Sequence, residues 1–353
     1  MNTSSSKANP YTLMFGKLPN QFISRTSQAD LITGTFMADP PNQQVYIITG
    51  IHGSGKTVLL TEAARFFRKQ KGWIVIDLSS EDDMIQSLAS QLTSDTTLSR
   101  LFRSAKINLS FLGLGIELQG ESPVTSLQTA LTRMFESLKK NHKKVLITVD
   151  EAANNTYMRK FASLFQILAR QDLPVFLLMT GLYEQIYELQ NEKSLTFLYR
   201  APKIHLSPLS VSTMAANYKK NLPLDIDSAL ELARLTKGYS FAFQVFGYYV
   251  YQEKAFNEEA VTLAQQYLEE NAYEKIWSEL SQKDREVTYA IAQSKDGKIQ
   301  NIRSVLKMDS FQFTPYRTRL IRKGIINGDT HGYVYFTLPL FEKYVLANYG
   351  LYY

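Results

Sequence analysis

The chain contains no cysteine in its 353 residues. That excludes structural disulfides and thiolate metal sites, and it fits a reducing compartment. Histidine is nearly as scarce, and its four scattered copies give a zinc site nothing to build on. Long apolar runs are missing too. Those around residues 45–51 and 175–182 are far too short to span a bilayer, and the polar stretch 1–10 lacks the core of a signal peptide. The expectation is a soluble, cytoplasmic protein with no membrane partner. Internal repeats and low-complexity tracts are absent. The content of 44% hydrophobic and 20% charged residues is that of a globular chain, long enough for two or three domains. A net charge of +6 permits an anionic partner without demanding one.

What is present centres on Gly50-Ile51-His52-Gly53-Ser54-Gly55-Lys56-Thr57, a complete G-x-x-x-x-G-K-T phosphate-binding loop. A β-branched run, residues 45–49, precedes it as a buried strand. An apolar helical pattern follows and stops at Lys71-Gly72. In such a strand–loop–helix the loop N–H groups and the positive helix end converge on the phosphates of a nucleotide. Lys56 would reach the β- and γ-phosphates, and the Thr57 hydroxyl would coordinate Mg²⁺.

A second strand, 145–149, ends in Asp150-Glu151, two carboxylates at the strand tip where open α/β sheets bind ligands. Asp150 would hold Mg²⁺ together with Thr57, and Glu151 would orient and deprotonate the attacking water. Residues 175–180 form a further strand, whose terminal Thr180 could sense the γ-phosphate and help position that water. Arg200, in Leu198-Tyr199-Arg200-Ala201-Pro202, reads equally as an arginine finger across a subunit interface or as an ordinary surface arginine.

Alternating strands and helices from Phe22 to Leu209, with further strands at 73–78 and 203–206, predict a parallel sheet covered by helices. Residues 107–118 alternate around two glycines and read as an inserted β-hairpin, serving as an oligomer contact or as decoration. Beyond Pro208 only helical periodicity remains, to about Tyr273.

The order of phosphate loop, Asp-Glu strand, Thr-ending strand, loop arginine and helical segment resembles the AAA+ P-loop ATPases. The likeness is to their origin-recognition-like group, which includes archaeal ATPases and bacterial transposition helpers, and it covers essentially everything from Phe22 onward. It implies that Phe22, Ile23 and Arg25 line an adenine pocket, because Gln21-Phe22-Ile23-Ser24-Arg25 matches the family's F-x-G-R phrase with Ser24 in place of glycine. It also implies a helical lid bearing an arginine on the γ-phosphate. Here the corresponding stretch, Gly238-Tyr239-Ser240-Phe241, has no arginine. It resembles instead the Gly-x-Pro segment of the STAND signalling ATPases, with Ser240 replacing proline. The missing arginine predicts slow turnover and a switch rather than a motor.

Residues from Leu280 onward read as a winged helix. A first helix, 282–293, is capped by Ser281, and a second covers 302–308. Thr314-Pro315 supplies a cap and first-position proline for a third, 315–323, before a hairpin around 328–332. On the third helix Arg317, Arg319, Arg322 and Lys323 are expected to face outward as DNA contacts, since no acidic residue occurs from Phe311 to Gly328. Winged helices also serve protein contacts.

The expectation is therefore an α/β fold: a flexible lead-in (1–20), a P-loop AAA+ core with a parallel sheet (21–209), an all-helical lid (210–276) and a winged helix (277–353). ATP or ADP with Mg²⁺ are the expected ligands, with double-stranded DNA and further copies of the chain as partners. A STAND-like signalling switch is the alternative.

Overall fold

The computed structural model describes residues 8–14, 19–105, 107, 126–193 and 195–351. All but the first residue of the expected 107–118 hairpin lies outside that set. The described chain falls into two compact units: one comprises Arg25–Thr49 and Lys56–His205, the other Met1–Ser24, Gly50–Gly55 and Leu206–Tyr353.

The first is a sheet unit. Its elements are α1 (Thr26–Met37), β1 (Val45–Thr49), α2 (Lys56–Arg68), β2 (Trp73–Leu78), α3 (Met84–Ser94), α4 (Thr96–Ser104), α5 (Leu127–Lys140), β3 (Lys144–Val149), α6 (Thr156–Arg170), β4 (Val175–Gly181), α7 (Tyr183–Gln190), α8 (Thr196–Arg200) and β5 (Lys203–His205). The five strands are parallel in the order β2-β3-β4-β1-β5. Every residue of β1 and of β4 is buried, as expected of central strands covered on both faces. On α2 the buried Leu59, Leu60, Ala63, Ala64 and Phe67 recur at helical spacing and seat the helix on the sheet. This arrangement has a chemical consequence. Because β4 is inserted between β1 and β3, its C-terminal tip lies beside the strand end that carries Asp150.

The second unit is helical. Its first part holds α9 (Val211–Asn221), α10 (Ile226–Leu235), α11 (Ser240–Glu253), α12 (Glu258–Leu268), a π-helical turn (Glu269–Tyr273) and α13 (Glu274–Ser278). Ser210, Asp225 and Asn257 cap α9, α10 and α12 through their side chains. Residues 9–12 are strapped onto this bundle. The buried Tyr11 ring packs against Tyr218 and Phe243, and its hydroxyl donates to Asn217 Oδ1 at 2.9 Å. Thr12 N–H donates to Gln244 Oε1 at 3.2 Å. Gly247 makes room for Tyr11, since a Cβ there would fall 2.6 Å from the ring.

Its second part holds α14 (Gln282–Gln293), α15 (Ile299–Leu306), α16 (Ser310–Arg322), a two-stranded antiparallel hairpin of β6 (Ile326–Asn327) and β7 (Tyr335–Phe336), and α17 (Phe341–Asn348). Ser281 caps α14 as expected. The third helix departs from expectation: α16 starts five residues before Pro315. Asp309 is its cap, in a reciprocal capping box with Gln312. Pro315 lies inside the helix, where it removes one N–H from the first turns without ending it. The second helix likewise begins at Ile299 instead of 302. No helix among the described residues is long and apolar enough to cross a membrane.

Candidate nucleotide site

In the sheet unit, hydrogen bonds tie together the tips of β3 and β4 and the start of α2. The Thr57 hydroxyl donates to Asp150 Oδ2 at 2.8 Å, and the Thr180 hydroxyl donates to Asp150 Oδ1 at 2.5 Å. Thr180 then accepts the Glu151 N–H at 2.9 Å, while its own carbonyl accepts the Ala152 N–H at 2.8 Å. The Ser80 hydroxyl donates to the Glu151 carbonyl at 3.2 Å, and Asn155 Nδ2 donates to the Ser80 carbonyl at 2.7 Å. So gripped on both sides, Glu151 adopts a left-handed φ of 53° and presents an exposed side chain. Lys56 begins α2 as a buried residue.

Thr180 stands at the centre of this set of bonds. It is fully buried, and its hydroxyl already donates to one partner and accepts from another. Through these two bonds it links the Asp150 carboxylate to the Glu151 amide.

The donor set suits Mg²⁺. Thr57 gives its only hydroxyl proton to Asp150, so its oxygen lone pairs remain for a hard cation. Among the described residues no group of three or more His, Cys, Asp and Glu could hold a metal by itself. Mg²⁺ sites of one or two protein ligands, completed by water and substrate phosphates, have this form.

In the helical unit, the loop Gly50–Gly55 takes positive φ at Gly53 (72°) and Gly55 (94°), and Ser54 N–H donates back to the Ile51 carbonyl at 3.2 Å. Three successive loop carbonyls are held by three successive residues at the start of α11. The Tyr239 hydroxyl donates to the His52 carbonyl at 2.7 Å. Phe241 N–H donates to the Gly53 carbonyl at 3.0 Å, and the Ser240 hydroxyl to the Ser54 carbonyl at 2.9 Å. Burial pushes the Tyr239 phenol above its usual range, so it stays a donor at physiological pH. His52 Nε2 lies 3.1 Å from Glu279 Oε1. Burial pushes the Glu279 carboxyl up, but hydrogen bonds and charge from His52 and Lys275 bring it below its usual range. No local sequence signal marks Tyr239, Ser240, Phe241 or Glu279 as loop partners.

Residues 41–189 match a family model described as an AAA domain, and residues 270–345 match a domain of unknown function, DUF8462. No curated protein matches in sequence. Among solved structures, the Walker-type ATPase PABY2304 of Pyrococcus abyssi is similar at 19% identity and a TM-score of 0.62, over 93% of this chain and 96% of that one. The Aeropyrum pernix ORC2 protein, in ADPNP-ADP complexes, gives 12% identity and a TM-score of 0.61, covering 95% of each chain. The fold is that of the AAA+ ATPases.

Other residues expected to serve an AAA+ site are placed as follows. Phe22 and Ile23 are half-buried in the helical unit, beside a well-anchored Gln21. The Gln21 carbonyl accepts from Gln244 Nε2 at 2.5 Å, and its side-chain oxygen accepts from Asn217 Nδ2 at 3.2 Å. Arg25 lies in the sheet unit, where its carbonyl accepts the Gln28 and Ala29 N–H groups and burial lowers its guanidinium pKa. Arg200 is exposed at the end of α8.

The basic residues of α16 and its C-cap Lys323 do not form the outward row expected of them. Arg319 is turned inward and grips Asp284, itself only 2% exposed, through Nε (3.0 and 2.9 Å) and Nη2 (2.7 Å). Arg317 Nη2 donates to the Gly328 carbonyl at 3.1 Å, and Lys323 Nζ to the Glu279 carbonyl at 3.2 Å. Of the four, only Arg322 is exposed.

Proposed function

We propose that the chain binds ATP with Mg²⁺ on the loop 50–57 and hydrolyses it slowly, as a nucleotide-dependent switch. Lys56 contacts the β- and γ-phosphates, Thr57 and Asp150 hold the cation, and Glu151 orients and deprotonates the attacking water. The observation that carries this reading is the set of hydrogen bonds from Thr57 through Asp150 and Thr180 to Glu151. An AAA+ neighbour solved in ADPNP-ADP complexes supports it. The lid segment 238–241 has no arginine to sense the γ-phosphate, which favours a switch over a motor. Phe22, Ile23 and Arg25 are the proposed adenine contacts. Arg200 acts as a finger if a second copy assembles with ATP. A chain without cysteine suits the cytoplasm.

The test is a pair of variants. Lys56→Ala should abolish binding of MgATP and MgADP, and Glu151→Gln should retain ATP while losing turnover. A Glu151→Gln protein that hydrolyses ATP at the wild-type rate would overturn the assignment.

For the last domain we propose a winged helix that contacts double-stranded DNA, with Arg322 the foremost phosphate contact. A second reading is favoured by one observation. Phe311, 87% exposed, and Val305, 63% exposed, stand on α16 and α15, as a partner-binding protein surface would require. Gel shifts with random duplex DNA, with and without ATP, separate the two. A shift supports DNA contact, and its absence supports the protein-binding reading.

A further inference from the structure

The contacts between the start of α11 and the phosphate loop lie entirely within the helical unit, and their geometry is specific. A trans peptide is planar, so its C=O and the following N–H point in opposite directions. Fixing the carbonyls of His52, Gly53 and Ser54 therefore fixes the directions of the Gly53, Ser54 and Gly55 N–H groups. Ser54 N–H already turns inward to the Ile51 carbonyl. The Gly53 and Gly55 N–H groups are the ones whose direction depends on the α11 contacts. Both glycines sit at positive φ, where a free loop would interconvert peptide orientations at little cost.

The contacts serve both partners. The N-cap of α11, Tyr239, makes no side-chain cap bond, and the Gly53 carbonyl accepts the first-turn N–H of Phe241. Gly238, at φ 77°, brings the segment into position. A Cβ there would lie 2.6 Å from Pro208 Cβ and 2.8 Å from the Leu209 carbonyl. A Cβ on Gly53 would fall 2.4 Å from the Tyr239 hydroxyl, so the loop admits this partner only with glycine at that position.

We infer that Tyr239 and Ser240 are positioning residues for nucleotide binding: by holding the His52 and Ser54 carbonyls they pre-set the Gly53 and Gly55 N–H groups that receive the phosphates. The inference rests on the ATP reading given above. It assigns the stretch lacking an arginine a role in organising the loop backbone, with no contact to the γ-phosphate required. Because the pre-set groups meet the phosphates of ADP and ATP alike, the contribution is to binding in general and not to the transition state. By linkage, bound nucleotide must in turn tighten the Tyr239 and Ser240 contacts.

The experiment uses the full chain with Tyr239→Phe, Ser240→Ala, the double variant and Ser240→Thr, which keeps the hydroxyl. Titration calorimetry with MgADP and MgATP gives affinities, steady-state assays give kcat, and thermal melts without nucleotide report folding. Each single removal should weaken both nucleotides about fivefold, and the double about twentyfold, as expected for one hydrogen bond each. The kcat at saturation should change less than about twofold, and Ser240→Thr should restore affinity. Unchanged affinity in the double variant overturns the inference, as does tighter binding, which would make the contact an inhibitory latch. If Tyr239→Phe lowers the nucleotide-free melt, the Ser240→Ala and Ser240→Thr pair decides alone by the same criterion. If wild type binds neither nucleotide, the ATP reading itself falls and takes this inference with it. Binding by wild type with no effect of the variants sinks only the inference.

Discussion

Thr180 gives its hydroxyl proton to Asp150 at 2.5 Å, so the tip of one strand fixes the carboxylate of its neighbour. The same oxygen accepts the Glu151 amide, making Thr180 the common support of both acidic residues. Thr180→Val keeps the shape and removes both hydrogen bonds. ATP affinity should stay within about threefold while turnover falls by about one to two orders of magnitude, because Glu151 loses its aim. Stability should drop by about 1–3 kcal/mol, since Asp150 and the Glu151 N–H each lose a partner. Equal loss of affinity and turnover would refute the positioning role.

Arg319 and Asp284 form a pair whose removal acts on folding before it acts on any ligand. Arg319→Leu leaves a buried carboxylate whose remaining partner among the described residues is the Ser281 hydroxyl, which donates to Asp284 Oδ2 at 2.8 Å. The expected cost is roughly 2–4 kcal/mol, tempered by the part-exposure of the arginine. Replacing both residues by leucine should cost less than Arg319→Leu alone. Urea unfolding of the three proteins checks the order.

Arg322→Ala tests DNA contact at an exposed side chain. If the side chain meets a phosphate, the slope of log affinity against log salt should fall by about 0.9. An unaltered slope removes Arg322 from the interface.

Gly247 and Tyr11 touch so closely that a side chain on one must displace the other. Gly247→Val should destabilise by about 2–4 kcal/mol and speed proteolytic cleavage near residues 8–14. Adding Tyr11→Ala should recover part of the loss, because the clash is with the ring. Fully additive losses would show that the ring is not the obstacle.

His205 predicts a pH effect. Burial, then the charge of Lys203, lowers its pKa, and its Nδ1 lies 2.7 Å from Thr49 Oγ1. A depressed folded pKa means the stabilisation is whole above the unfolded value of about 6.5 and is lost as pH falls through the folded one. The melting advantage of wild type over His205→Gln should be constant above about pH 7 and shrink below 6.5. A constant advantage down to pH 5 would contradict it.

Much of the sheet unit was legible because its signals are local. Short Val/Ile/Leu runs bounded by polar turns locate all five strands to within a residue, and Asp150 and Glu151 follow directly on the end of β3. The start of α16 was misjudged because Thr314-Pro315 imitates a helix beginning. The true signal, Asp309 followed three residues later by Gln312, was also in the sequence. Other features were beyond local reading. A helical wheel turns Arg319 outward, but the carboxylate that draws it inward lies 35 residues away. Tyr239 and His52 are 187 residues apart, and nothing near either one announces the other.

The division of the chain into units has a practical consequence. Six letters of the phosphate-loop signature, Gly50–Gly55, count with the helical unit, and the final two, Lys56 and Thr57, with the sheet unit. A fragment cut as residues 25–205 would therefore carry the entire signature and still lack every side chain of α11. Its spelling would be complete and its grammar missing. Such a fragment should bind nucleotide at least about twentyfold more weakly than the full chain even if its sheet folds.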